Sequence, residues 1–286
     1  MLRTINTFFK YINTYGQDFI NEMSLHNVEV CHLSYAQACE CVNEQDSLCL
    51  CDYAEGYDML MRKGHNVIWV MNSENAHEAS LCEEKISYVV EDYEEAEYDY
   101  YLKVWQRYAH IPWDILSTDR CFVKEMDVTD IDALYELYSD KSVCKYMEDL
   151  YADEDEELNY IRKYIENIYS YYGFGVWNIY RKEDNRLIGR AGYSFRPGLE
   201  YPEIGFMIGA PYQRMGYAYE VCSKILQLGY GQMGFDDVCA LVKDGNEASI
   251  ALLHKLGFTV NSKQPRYITD NEEYICMIKS KKISKE

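Results

Sequence analysis

The chain has 286 residues, 48% of them hydrophobic and 27% charged. That composition supplies enough apolar surface to offset backbone ordering, and the length fits two cores better than one. With 48 acidic against 28 basic side chains the net charge is −20, which argues against a duplex nucleic-acid binder, because phosphate neutralisation takes clustered Lys and Arg; it favours cationic partners or serves solubility alone.

No run of about 18 apolar residues occurs, so no membrane contact through a spanning helix is expected. Residues 1–20 are interrupted by Arg3 and Lys10 and lack a small-residue cleavage site, which does not fit a signal peptide. A cytoplasmic protein is expected, with most of its 11 cysteines as buried thiols. Cys49 and Cys51 would share one strand face, a poor spacing for a soft metal, and no metal site is expected.

Along residues 28–105 short β-rich runs alternate with amphipathic stretches. The strands read as 28–31, 48–51, 67–71 and 86–90, with helices over 57–63 and 96–107 between and after them. Alternation of this kind implies βαβ units and an α/β domain with a parallel, Rossmann-like sheet. Gly64 is placed to stop the first of these helices. The tyrosines between Tyr88 and Tyr108 read as packing and surface residues. Pro112 and the polar residues that follow break the pattern, which puts the domain boundary near 117: residues 1–117 form an acidic α/β domain without a catalytic role, and residues 118–286 form a second domain.

The second domain has a different rhythm. A strand over 121–125 is followed by a helix to Tyr138 with Thr129 as its N-cap and Ile131, Leu134, Tyr135 and Tyr138 on its apolar face. A helix over 156–171 comes next. Strands 176–180 and 187–195 form a hairpin, and 203–208 returns as a third antiparallel strand. Then come a long helix over 218–233, a strand over 238–242, a short helix over 248–256, and strands near Tyr267 and over 274–278. The order is that of an α+β domain with a mixed, mostly antiparallel sheet.

Between the third strand and the long helix the chain reads Ile208, Gly209, Ala210, Pro211, Tyr212, Gln213, Arg214, Met215, Gly216, Tyr217, Ala218. Small residues let a ligand approach the backbone, and free N–H groups at a helix start form an anion-binding concavity aided by the helix dipole. A pyrophosphate would fit there, although a glycine before a helix also serves as a plain tight turn.

This segment resembles the Q/R-x-x-G-x-G/A loop of GNAT acetyltransferases, matched by Gln213, Gly216 and Ala218. Asn246, Ser249, Gly257 and Phe258 resemble the N-x-x-S/A…G-F element of the family's next helix. The likeness covers roughly residues 119–280 and is nearest the RimJ/RimL branch. It implies acetyl-CoA as cosubstrate, with pyrophosphate on the amides of Arg214, Met215, Gly216, Tyr217 and Ala218. The pantetheine arm would pair like a strand with Phe206, Met207 and Ile208, and Asn246 would contact it near the thioester. The implied acceptor is a primary amine, a protein N-terminus or a small amine, in a cytoplasmic enzyme compatible with a homodimer.

An alkylammonium has a pKa of about 10.4, so at neutral pH a base or a desolvating site must supply the free amine. The resemblance points to Glu203 as that base and to a backbone N–H around Met207 or Ile208 as the polariser of the carbonyl. Many members place an acidic tyrosine seven residues after the asparagine; here that position is Leu253, so the resemblance to RimL-like members assigns the role to Ser249. Arg266 stands where a RimL-type carboxylate would be. These two departures motivate an alternative, a CoA-binding regulatory protein without turnover. Residues 58–90 also faintly resemble the core of haloacid-dehalogenase-type phosphatases, with Asp52 at a strand end where that family holds magnesium, but the D-x-D nucleophile motif is missing. A degenerate relative is expected in preference to a second, phosphatase activity.

Overall fold

The computed structural model describes residues 1–12, 16–40, 44–269 and 272–281, and the chain forms two compact units, Met1–Ile111 and Pro112–Glu286. In the first, β1 (Thr4–Phe8), α1 (Gln17–Leu25), β2 (Glu29–His32), α2 (Tyr35–Glu40), β3 (Ser47–Cys51), α3 (Ala54–Arg62), β4 (Val67–Val70), β5 (Val89–Val90) and α4 (Tyr98–Tyr108) follow one another. The strands make a parallel sheet in the order β2-β1-β3-β4-β5. Every residue of β3 and β4 is buried, because helices cover both faces. Phe19 and Met23 of α1 and Tyr101, Val104 and Trp105 of α4 pack on Leu48, Leu50, Ile68 and Val70. Ala38, Tyr57 and Leu60 cover Cys49, Cys51, Val67 and Trp69 on the other side.

The sequence pattern offers no strand before residue 28, yet β1 lies between β2 and β3. Its Asn6 and Thr7 are buried polar residues, which hides the apolar run expected of a central strand. Strand order reverses at β1 and β3, the place where an open α/β sheet leaves a crevice. Asp52 fills it. The side chain is fully buried and accepts the amides of Lys10 at 2.6 Å, Tyr11 at 2.8 Å and Ile12 at 3.0 Å. Glu78 beside it accepts the amide of Ala54 at 2.9 Å and the hydroxyl of Tyr11. Asp52 is therefore an internal strut, and the chain leaving β1 reads Phe9, Lys10, Tyr11, Ile12 where a phosphatase would need its nucleophile.

The second unit opens with β6 (Asp114–Ser117), within the segment that the sequence pattern assigns to the break, paired with β7 (Cys121–Lys124). Then come α5 (Ile131–Tyr138) and α6 (Glu154–Tyr164), the latter running through a π-helical stretch, Ile165–Tyr169, into a last turn, α7 (Ser170–Tyr172). The rest is β8 (Val176–Arg181), β9 (Leu187–Ser194), β10 (Glu203–Ile208), α8 (Tyr217–Gly231), β11 (Asp237–Lys243), α9 (Glu247–Leu256), β12 (Thr259–Val260), β13 (Arg266–Thr269) and β14 (Glu272–Ser280). The sheet runs β12-β14-β11-β10-β9-β8-β7-β6, with β13 on β14, and its pairs are antiparallel except β10 with β11.

The entry to α5 corrects one expectation. Asp127, not Thr129, is the cap: its Oδ1 accepts the Thr129 amide at 2.8 Å and the Thr129 hydroxyl at 2.6 Å, while Asp130 accepts the Asp127 amide at 2.8 Å. The carboxylates form a reciprocal capping box that a single hydroxyl cannot match. Helices α8 and α9 bury Val221, Cys222, Ile225, Leu253 and Leu256 on one sheet face, against Trp177, Ala191, Tyr193 and Ile204. On the other, α5 and α6 bury Leu134, Tyr138 and Ile161 against Leu187 and Met207.

Removing the strut tests the first unit. Asp52→Ala leaves three part-buried amides without an acceptor and should lower the unit's stability by about 1–3 kcal/mol. Hydrogen exchange of the β3 and β4 amides should speed up accordingly, with Asp52→Asn, which keeps one oxygen, losing less.

Candidate active site

Strand β10 treats its two neighbours differently. It pairs with β9 along its whole length, from Glu203 opposite Ser194 to Ile208 opposite Gly189, but meets β11 through Glu203 and Cys239. The Cys239 amide donates to Pro202 O at 2.9 Å, and beyond that point the parallel strands part. Backbone groups on a strand alternate sides. The Gly209 amide donates to Ile188 O at 2.9 Å, so Met207 also turns toward β9, and Phe206 and Ile208 turn into the gap. Of the two N–H groups considered as carbonyl polarisers, that of Ile208 faces the opening.

At the wide end of the gap the chain turns into α8. Gln213 caps the strand, its Nε2 donating to Ile208 O at 2.9 Å. Arg214 has φ 61° and Gly216 φ 85°, both left-handed. Such residues in a turn bring successive N–H groups to one side and build an anion nest. For Arg214, a non-glycine, this conformation is strained, as segments at binding sites often are. A Cβ on Gly216 would come within 3.5 Å of Arg120 Nη2, an ordinary contact, so the mouth of the helix is open.

Arg120 braces this loop. Its Nη1 donates to Met215 O at 3.0 Å, its Nε donates to Glu220 Oε2 at 2.7 Å, and the guanidinium lies 4.2 Å from the centre of the Tyr217 ring. Glu220, in the first turn of α8, would repel an anion if left bare. Burial raises its pKa, but hydrogen bonds from Thr118 and Arg120 outweigh this and hold it below the usual glutamate value. Sequence reasoning missed Arg120, since a lone arginine in a turn carries no pattern.

Of the other candidates, Glu203 lies at the narrow end of the gap, while Asn246 and Ser249 follow the C-terminal end of β11, toward the wide end. Asn246 caps α9, its Oδ1 accepting the Ser249 amide at 3.2 Å, which puts the Ser249 hydroxyl in the helix's first turn. The Tyr146 hydroxyl reaches Gly245 O at 2.7 Å and ties the loop between α5 and α6 to this corner. Leu253 is fully buried in the core. Glu203 is buried, with Oε2 bonded to Arg196 Nε and to Ser194 Oγ at 3.2 Å. Arg266 is paired with Asp244 at 3.1 Å and Glu273 at 3.6 Å.

The family model described as acetyltransferase (GNAT) domain matches residues 120–259. The second unit is therefore similar to GNAT N-acetyltransferase domains. Relatives agree: the chain is 29% identical over 160 residues to the uncharacterized N-acetyltransferase YoaA of Bacillus subtilis, covering 55% of this chain and 89% of that one. It is 27% identical over 143 residues to the uncharacterized N-acetyltransferase YnaD of the same organism, covering 50% and 81%. The ribosomal-protein-S5-alanine acetyltransferase of Vibrio fischeri shares the fold at TM-score 0.50 and 14% identity, over 62% of this chain and 100% of that one.

GNAT acetyltransferases use acetyl-CoA, and the second unit fits it on two observations: the open nest before α8 and the unpaired edge of β10. Among the described residues no cluster of three or more His, Cys, Asp or Glu is arranged to hold a metal. No helix among them is long and apolar enough to cross a membrane.

Gly216→Val should be strained, because a β-branched residue resists a left-handed backbone, and its side chain crowds the nest. Calorimetry on the folded variant should show CoA affinity reduced at least about 30-fold, the effect of losing two or more charge-assisted hydrogen bonds. Arg120→Ala should weaken CoA by a smaller factor, by loosening the loop and uncovering Glu220.

Proposed function

We propose that the second unit transfers an acetyl group from acetyl-CoA to a primary amine, a protein N-terminus or a small amine, by direct attack on the thioester. The parting of β10 from β11 carries this reading, because a strand edge facing a gap suits an extended amide-bearing arm. The amides of Arg214, Met215, Gly216, Tyr217 and Ala218 hold the pyrophosphate, and those of Phe206 and Ile208 pair with the pantetheine. A groove of about 570 Å³ runs along α8 from Tyr219 to Gly231, and at its Tyr219 end Lys255, with Nζ 4.3 Å from the centre of the Tyr219 ring, offers a cation to the phosphate at the nucleotide end. Bound acetyl-CoA supplies the activated acyl group.

The amine must lose a proton. Glu203 takes it through a water on Oε1, since Oε2 is engaged by Arg196 and Ser194. The Ile208 N–H stabilises charge growing on the carbonyl oxygen. Ser249 supplies a proton to the departing thiolate, a modest contribution because a thiol of pKa about 8.5 leaves readily. The burial of Leu253 favours a second reading, a regulator that binds CoA without turnover. CoA binding without acetylated product from any amine would establish it.

Glu203→Gln should lower kcat/KM by about 10²–10⁴-fold, with unchanged CoA affinity, and the deficit should shrink as pH approaches the amine's own pKa. Ser249→Ala should cost less. Steady-state rates across pH 6 to 9 check both; equal activity of wild type and Glu203→Gln removes Glu203 from the mechanism.

A further inference from the structure

Arg190 lies on β9 opposite Met207 of β10 and Asn178 of β8, on the sheet face covered by α5 and α6. Its half-buried side chain is poorly partnered. One Nη is 3.3 Å from the Tyr138 hydroxyl and the other 2.7 Å from Met126 Sδ, while Nε is buried with no hydrogen-bond partner. Across the strand, Asn178 Oδ1 is also buried without a partner. The ionisable groups acting on Arg190 most strongly are the hydroxyls of Tyr138, Tyr169 and Tyr160.

A guanidinium is always charged, so burying it without a counter-ion is costly. Arg120, Arg181, Arg196 and Arg266 of the same unit each have a carboxylate partner. Arg190, among the described residues of a chain with net charge −20, has none. A water between Nε and Asn178 Oδ1 would satisfy those two atoms but would not balance the charge. An anion delivered from the cleft would.

The position selects the anion. Met207 is one strand spacing away, about 5 Å, and the next residue, Ile208, turns its N–H into the gap where the thioester is proposed to lie. Glu203 is four residues along β10, about 13 Å. An anion at Arg190 would therefore lie on the strand next to the one that carries the proposed thioester contact, and a carboxylate matches the planar fork of a guanidinium. We propose that Arg190 binds a carboxylate of the acceptor, so that the acceptor is an amine carrying its own carboxylate, of the amino-acid or short-peptide class. This rests on the acetyl-transfer reading above and narrows it.

The test compares free α-, β- and γ-amino acids and dipeptides with their carboxamides, which keep the amine and remove the negative charge. Both binding to the CoA-saturated protein and turnover are measured, for wild type, Arg190→Met and Arg190→Lys. Wild type should favour acids over amides by about 10- to 100-fold, through KM. Arg190→Met should erase that preference and leave amide turnover and the KM for acetyl-CoA unchanged, while Arg190→Lys restores part of it. Equal treatment of acids and amides by wild type, or an equal loss for both in Arg190→Met, would overturn the proposal. If Arg190→Met does not fold, a KM increase confined to acids in Arg190→Lys supports it, and an unchanged KM overturns it. If nothing is acetylated, acid-selective binding that depends on Arg190 supports the carboxylate site and refutes acetyl transfer; unselective binding refutes the site.

Discussion

The second unit is organised by the parting of β10 from β11 after their single shared register, Glu203 with Cys239. Each strand is fastened on its outer side, β10 to β9 through six residue pairs and β11 to β14 through seven. The sheet can thus open between them without coming apart. The opening leaves backbone groups of β10 without strand partners, and such groups are costly unless water or a ligand meets them. The same divergence lets the chain after Ile208 turn across the sheet end, so the nest at 214–218 forms beside the gap.

A strongly acidic protein must still admit the anionic cosubstrate proposed for it. The conflict is resolved locally: charges beyond about 8 Å are screened at physiological salt, whereas amide dipoles at a helix start act at contact distance. Arg120 takes up Glu220, the one carboxylate in the first turn of α8. The overall negative field still favours an ammonium on the acceptor, and the carboxylate assigned to Arg190 would be the exception drawn in by a local charge.

What the sequence made legible was local. The strand Glu203–Ile208, the loop through Gly216 and the cap at Asn246 are each written in contiguous residues, with glycine or a capping side chain marking the backbone conformation. Two kinds of feature escaped. Elements whose burial comes from tertiary neighbours lacked a pattern: β1 carries Thr and Asn into the middle of a sheet, and Asp127 prevailed over Thr129 through its reciprocal bond with Asp130. Pairings distant in sequence had no signal either. Arg120 meets Glu220 a hundred residues away, and Arg190 is singled out by an unsatisfied Nε and the absence of a carboxylate partner among the described residues, which only coordinates reveal. Asp52 was visible at a strand end, but three backbone amides make it a strut.

The most direct test of the account is amide hydrogen exchange with and without saturating CoA, read residue by residue. It predicts slowed exchange at Phe206, Ile208 and residues 214–218, with the amides of the first unit unchanged. Unaltered exchange at 214–218 in a protein that demonstrably binds CoA, or protection centred on the crevice beside Asp52, would contradict it.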